Sequence, residues 1–119
     1  MVIILTKSEL FGKAFEQFIF QELIAYSNYK NKEIDVTYWR TASGFKVDFI
    51  LNQEIAIEVK ASSHIQTHHL KGLNAFYEEY PAIKRYIISL DVLPRISENG
   101  IQIMPWQVFL TELWNGTII

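Results

Sequence analysis

Phe45-Lys46-Val47-Asp48-Phe49-Ile50-Leu51, followed after Asn52-Gln53-Glu54 by Ile55-Ala56-Ile57-Glu58-Val59-Lys60, is the stretch whose reading decides the fold. Both pieces are rich in β-branched and aromatic residues and alternate with period two, as half-buried strands do. The short linker predicts an antiparallel hairpin. With a three-residue loop, Val47 faces Val59, Phe49 faces Ile57 and Leu51 faces Ile55, which leaves one face wholly apolar. The opposite face then carries Asp48 across from Glu58, and Lys46 across from Lys60. A two-residue loop would set Asp48 against Ile57 and Glu58 against Val47. That mixes charge into both faces, so the hydrophobic pattern selects the first register.

Two carboxylates directly opposite on a sheet repel each other, and a cation between them relieves the repulsion. Oxygen ligands of this kind suit Mg²⁺ or Mn²⁺, which are held by one or two carboxylates with waters and phosphate oxygens. Lys60, two residues beyond Glu58, leaves the same face, where an ammonium can orient a water or stabilise charge on a phosphate. A solvated hairpin face with ordinary surface charges fits the spacing equally well.

Asp48, Glu58 and Lys60 together resemble the PD-(D/E)XK nuclease superfamily, whose motif is an acidic residue on one strand and (D/E)-X-K on the next. Here the first half reads Lys46-Val47-Asp48, without the proline. The flanks, Tyr38-Trp39-Arg40-Thr41-Ala42-Ser43-Gly44-Phe45 and Ala61-Ser62, look like the uncharacterised C-terminal domain of a group of prokaryotic AAA-type ATPases. Met104-Pro105-Trp106-Gln107-Val108-Phe109-Leu110 fits that branch too, so the likeness covers most of the chain. Lys46 is a departure, since that branch often has an acidic residue there. A second is that the 119 residues contain no ATPase segment.

A chain of 119 residues, half of them hydrophobic, predicts a single packed domain over residues 1–119. Without cysteine it has neither a disulfide scaffold nor a thiolate metal site. No apolar run is long enough to cross a bilayer and the N-terminus lacks a signal-peptide pattern, so a cytoplasmic protein without a membrane partner is expected. A net charge of −2 counts against a non-specific nucleic-acid binder. It leaves a nuclease open, because a bound metal inverts the local charge of a carboxylate site. The basic pairs Lys30 with Lys32, and Lys84 with Arg85, have no face assigned by sequence.

Along the chain, Met1–Leu5 reads as an edge strand or a segment that packs on a partner. Thr6-Lys7-Ser8-Glu9 has capping-box spacing, so a helix begins there and runs to about Ser27, with Phe11, Phe15, Phe18, Ile19, Leu23 and Tyr26 as its apolar stripe. Gly12 and Glu16 are spaced as in the first motif of many nucleases of that superfamily, where a helical glutamate approaches the metal; a surface glutamate is the alternative. Glu22 falls within the stripe and needs a partner, with Arg40 as the candidate, or a route to solvent. Ile34–Arg40 reads as a third strand, placing Tyr38 beside Val47 and Val36 beside Phe49. Trp39 then flanks the carboxylates, to stack on a base or, more commonly, to pack.

A second helix is expected over roughly Ile65–Tyr80, with Leu70, Leu73, Phe76, Tyr77 and Tyr80 buried and Pro81 ending it. Gln66 and Lys71 near its start are candidates for phosphate contact, against a solvated face. His64 and His68 have helical metal-ligand spacing but no third ligand or HExxH pattern. Ile83–Leu90 should form a strand parallel to Ile55–Lys60 through a right-handed crossover. Asp91–Gly100 reads as a loop and Ile101–Met104 as a short strand. Pro105 opens a last helix carrying Trp106, Phe109, Leu110, Leu113 and Trp114, closed by Gly116.

The expected fold is therefore an α/β sandwich of order α-β-β-β-α-β around a mixed sheet, with a C-terminal strand and helix. The resemblance implies the restriction-endonuclease-like version of it and a metal-dependent nuclease acting on DNA. Asp48, Glu58 and the Val59 carbonyl would bind Mg²⁺ or Mn²⁺, Lys60 would assist the attacking water, and Glu16 would serve as auxiliary ligand or base. Gln66 and Lys71 would meet substrate, and a homodimer follows from the family. The alternative is a non-catalytic nuclease-fold domain serving an AAA-type ATPase or self-associating.

Overall fold

A computed structural model of the protein describes residues 6–119; the Met1–Leu5 segment lies outside the described residues. Strand β1 spans Val36–Arg40, β2 Lys46–Leu51 and β3 Ile55–Val59. Phe49 pairs with Ile57 and Leu51 with Ile55, which is the register chosen from the apolar pattern. The turn between them uses Asn52 and Gln53 at φ of 51° and 56°. Asn52 tolerates that conformation, and its Oδ1 accepts the Asp35 N–H at 2.7 Å.

β4 (Lys84–Ser89) lies parallel to β3, as the crossover rule requires. β6 (Gln102–Pro105) lies parallel to β4, and the two-residue β5 (Arg95–Ile96) closes that edge antiparallel to β6. The result is a six-stranded mixed sheet of order β1-β2-β3-β4-β6-β5.

Helices cover both faces. On one, α1 (Lys7–Tyr29) and α3 (Trp106–Trp114) bring Phe15, Ile19, Leu23, Tyr26, Phe109 and Leu113 against Phe49, Leu51, Ile57, Tyr86 and Ile88. On the other, α2 (Lys71–Glu79), entered through a 3₁₀ turn at Thr67–Leu70, packs Leu73 and Phe76 on Val47, Ile50, Ala56, Ile87 and Ile103. Strands covered on both sides are apolar on both sides, and every residue of β3 is buried. The expected α/β order and helix placement are thus present. The Thr6 side chain caps α1 by accepting the Glu9 N–H at 3.1 Å.

Several local expectations need correction. Val47 leaves the apolar face it was assigned to and joins the α2 cluster. The reason is a bulge: between the Thr37–Ile50 and Trp39–Val47 pairs, two residues of β1 span three of β2, so the alternation of β2 shifts around Asp48 and Phe49. The loop that closes this hairpin holds five residues, Thr41–Phe45, which sets Trp39, not Tyr38, beside Val47, and the bulge adds a further step, so that Val36 pairs with Leu51 rather than Phe49. Tyr38 is exposed, and Trp39 packs edge-on against Phe76 at 5.3 Å between ring centres, the commoner of its two outcomes. Phe11, Phe18, Tyr77 and Tyr80, expected in helical stripes, stand largely outside the core. Glu22 forms no ion pair among the described residues and takes the route to solvent, while Arg40 lies over the Tyr38 ring. β5 lies within the segment read as a loop.

Candidate functional site

The β2–β3 ladder ends at Phe49–Ile57, so the next residues outward, Asp48 and Glu58, meet where the paired strands stop. Instead of a ladder partner, the Val59 N–H donates to Asp48 Oδ2 at 2.9 Å. Lys46 reaches both acids: its Nζ lies 2.8 Å from Asp48 Oδ1 and 3.5 Å from Glu58 Oε1. The acid side chains are almost fully buried, at 4% and 7% exposure, whereas that of Lys46 is 42% exposed. Two acids this close and this dry do not both ionise. Burial, a hydrogen bond to Asp48 and the Asp48 charge push Glu58 up to about 9, so Glu58 carries a proton at neutral pH. Burial works against the Asp48 carboxylate too, but hydrogen bonds with Glu58, Lys46 and the Val59 N–H outweigh it and hold Asp48 below its ordinary value. Lys46 is held above its ordinary value because Asp48 and Glu58 more than offset its own burial.

Helix α1 brings Glu16 near the pair. Burial and then the Asp48 charge raise the Glu16 carboxyl. Glu16 nevertheless lines its own depression, about 450 Å³, beside Lys13, Phe20 and Phe49. Glu58 opens on a different one, about 300 Å³, lined also by Lys46, Lys60, His68, His69, Lys71 and Gly72. Gly72 is what lets α2 approach so closely: a Cβ there would sit 2.1 Å from the Lys46 carbonyl oxygen.

The structure thus brings Asp48, Glu58, Val59, Lys60 and Lys71 into one neighbourhood, with Glu16 reaching it electrostatically from the α1 side. It separates Gln66, which caps the 3₁₀ turn and lines a distinct groove with Asn74 and Arg95. Val59 enters through its N–H, a role the sequence did not suggest. His64 lies before the 3₁₀ turn, so its helical i, i+4 spacing with His68 is not formed; the His68 and His69 rings lie 4.0 Å apart, tilted, and His69 Nδ1 accepts the Gln66 N–H. Burial, with His68 and Lys60 nearby, lowers His69 below its ordinary value. The sequence places Lys46 on the face of the two acids, since alternate strand residues share a face, but does not show that its ammonium pairs with both of them.

No three His, Asp or Glu side chains among the described residues form a cluster able to hold an ion. A divalent cation would therefore rest on the Asp48–Glu58 pair with water, which is within the habits of Mg²⁺. The donors are hard oxygens, as Mg²⁺ and Mn²⁺ require, and the paired acids already draw an ammonium between them. The donor set fits such an ion, once the Glu58 proton and the Lys46 ammonium give way. No helix among the described residues is long and apolar enough to cross a membrane.

Fold and site together define an α/β domain with a buried, cation-neutralised carboxylate pair at a strand end. Residues 11–109 match the DUF4143 family, described as a domain of unknown function, and the chain belongs to that family. Neither the curated proteins nor the solved structures gave a match.

Proposed function

We propose that this domain is a metal-dependent phosphodiesterase acting on DNA by the PD-(D/E)XK mechanism. One observation carries the reading: Asp48 and Glu58, from adjacent strands, converge within reach of one ammonium group, while Lys60 lines the depression on which Glu58 opens. Asp48 and Glu58 would hold Mg²⁺ or Mn²⁺ through their carboxylate oxygens, Glu58 giving up its proton to do so. The ion, when bound, supplies Lewis-acid polarisation of a phosphoryl oxygen. Lys60 orients the attacking water and stabilises negative charge on the phosphate. Lys71, at the start of α2, holds a neighbouring phosphate, and Glu16 serves as auxiliary base from the α1 side. Cleavage of plasmid or branched DNA with Mn²⁺ tests this, comparing the parent with Lys60→Ala. The parent should cut and the variant should lose most of the rate; no metal-dependent cleavage by a folded parent would end the proposal.

A second reading rests on Lys46, which already neutralises the pair from within. On this reading the chain is a non-catalytic nuclease-fold domain that self-associates or serves an AAA-type ATPase. The helix Trp106–Trp114 presents no free aromatic face, because Trp106 and Trp114 pack against Phe18, Tyr26 and Tyr29. Val92, Leu93 and Ile96, around the edge strand β5, form one exposed apolar group for such a contact. Light scattering discriminates: a dimer that Leu93→Glu dissociates favours this reading, and a strict monomer counts against it.

A further inference from the structure

We infer that Lys46 is a built-in counter-ion that competes with the divalent cation for the Asp48–Glu58 pair, so that the pair takes up metal only as the ammonium withdraws. The inference rests on the divalent-ion reading above and adds the residue that limits the ion's access.

The geometry supports displacement rather than permanent structural pairing. Lys46 holds Asp48 Oδ1 at 2.8 Å and Glu58 Oε1 at 3.5 Å, so its ammonium stands between the oxygens an ion would need. The two acids are buried and fixed, Asp48 by the Val59 N–H on its second oxygen. The lysine is the exposed partner: its side chain is 42% exposed and lines an open depression, which leaves it a path into solvent that does not unpack the core. Lys60 borders the same depression but forms no ion pair within 4.0 Å with either acid, so the ammonium seated on the acid oxygens is that of Lys46.

A cation and an ammonium cannot share the same two oxygens. Binding the first therefore costs the charge-assisted hydrogen bonds of the second, and removing the ammonium should strengthen metal binding. This runs against the usual expectation that deleting a residue at a site weakens it.

The test is Mn²⁺ titration by calorimetry, on the full chain, of the parent, Lys46→Met and Lys84→Met. Met keeps the length of the lysine stem. Lys84, exposed at the other end of the sheet, controls for the general loss of one positive charge. Thermal unfolding without metal is measured in parallel. Lys46→Met should bind Mn²⁺ about tenfold tighter or more than the parent, the scale of one charge-assisted hydrogen bond, with Lys84→Met close to the parent. Its metal-free form should melt lower, and Mn²⁺ should raise that midpoint more than the parent's. Equal or weaker Mn²⁺ binding by a folded Lys46→Met, when the parent binds, overturns the inference and leaves the metal site standing. Absence of Mn²⁺ binding in both folded proteins overturns the inference and the divalent-ion reading together.

Discussion

At the residue scale the chemistry turns on how two buried acids divide one proton. Glu58 keeps its proton in the folded protein up to about pH 9 but sheds it near 4.5 in the unfolded chain. Between those values the folded state binds more protons than the unfolded one. The stability contributed by the protonated group is therefore full at low pH and is lost as pH rises towards 9. In a chelator, the melting temperature of the parent should fall from mildly acidic to mildly alkaline pH more steeply than that of Glu58→Gln. Identical slopes would mean that Glu58 is already ionised at neutral pH. Binding Mn²⁺ should also expel this proton, so the calorimetric heat should vary with the ionisation enthalpy of the buffer; a heat independent of buffer would contradict the assignment.

At the scale of single elements, α2 and β2 are locked by a close backbone approach. Gly72 lies against the Lys46 carbonyl, and a methyl group there would be only 2.1 Å from that oxygen. Gly72→Ala should cost roughly 1–3 kcal/mol in chemical denaturation, as overpacked contacts do; unchanged stability would show that α2 can back away freely. On the other face, Phe109 is fully buried under the sheet, and Phe109→Ala should cost about 3–5 kcal/mol.

These elements were unequally legible in the sequence. The β2–β3 hairpin was readable because only one register kept Phe49, Leu51, Ile55 and Ile57 together. The parallel β4 followed from the right-handed crossover. The bulge in β2 was not readable, because alternation cannot show where two residues of one strand oppose three of another; the face of Val47 was lost with it, and the β1 register was lost to the five-residue loop Thr41–Phe45 as well. β5 is two residues long inside a Pro- and Gly-punctuated loop, too short for any period to register. In the site, Asp48, Glu58 and Lys60 stood out through spacing. Lys46 did not, because the hairpin register places it opposite Lys60, and a strand pattern alone does not show that its side chain turns back to Asp48 and Glu58.

At the scale of the whole molecule, the covered sheet sets a gradient of stability. β3 is buried throughout and β4 from Arg85 onward, whereas β5 is a two-residue edge with both residues exposed. Amide exchange should be slowest in Ile55–Val59 and Arg85–Ser89 and fastest at Arg95–Ile96. Faster exchange in β3 than in β1 would contradict a site built on the most rigid strand. That rigidity is what a carboxylate pair needs in order to present oxygens to an ion without reorganising.

Mn²⁺ titration calorimetry of the parent beside Asp48→Asn tests the central claim most directly. The account predicts saturable binding of Mn²⁺ by the parent and its loss in a folded Asp48→Asn, whose amide keeps the shape of the side chain but not its charge. Binding of equal strength in both proteins, or none in the parent, would contradict a metal centre built on Asp48 and Glu58.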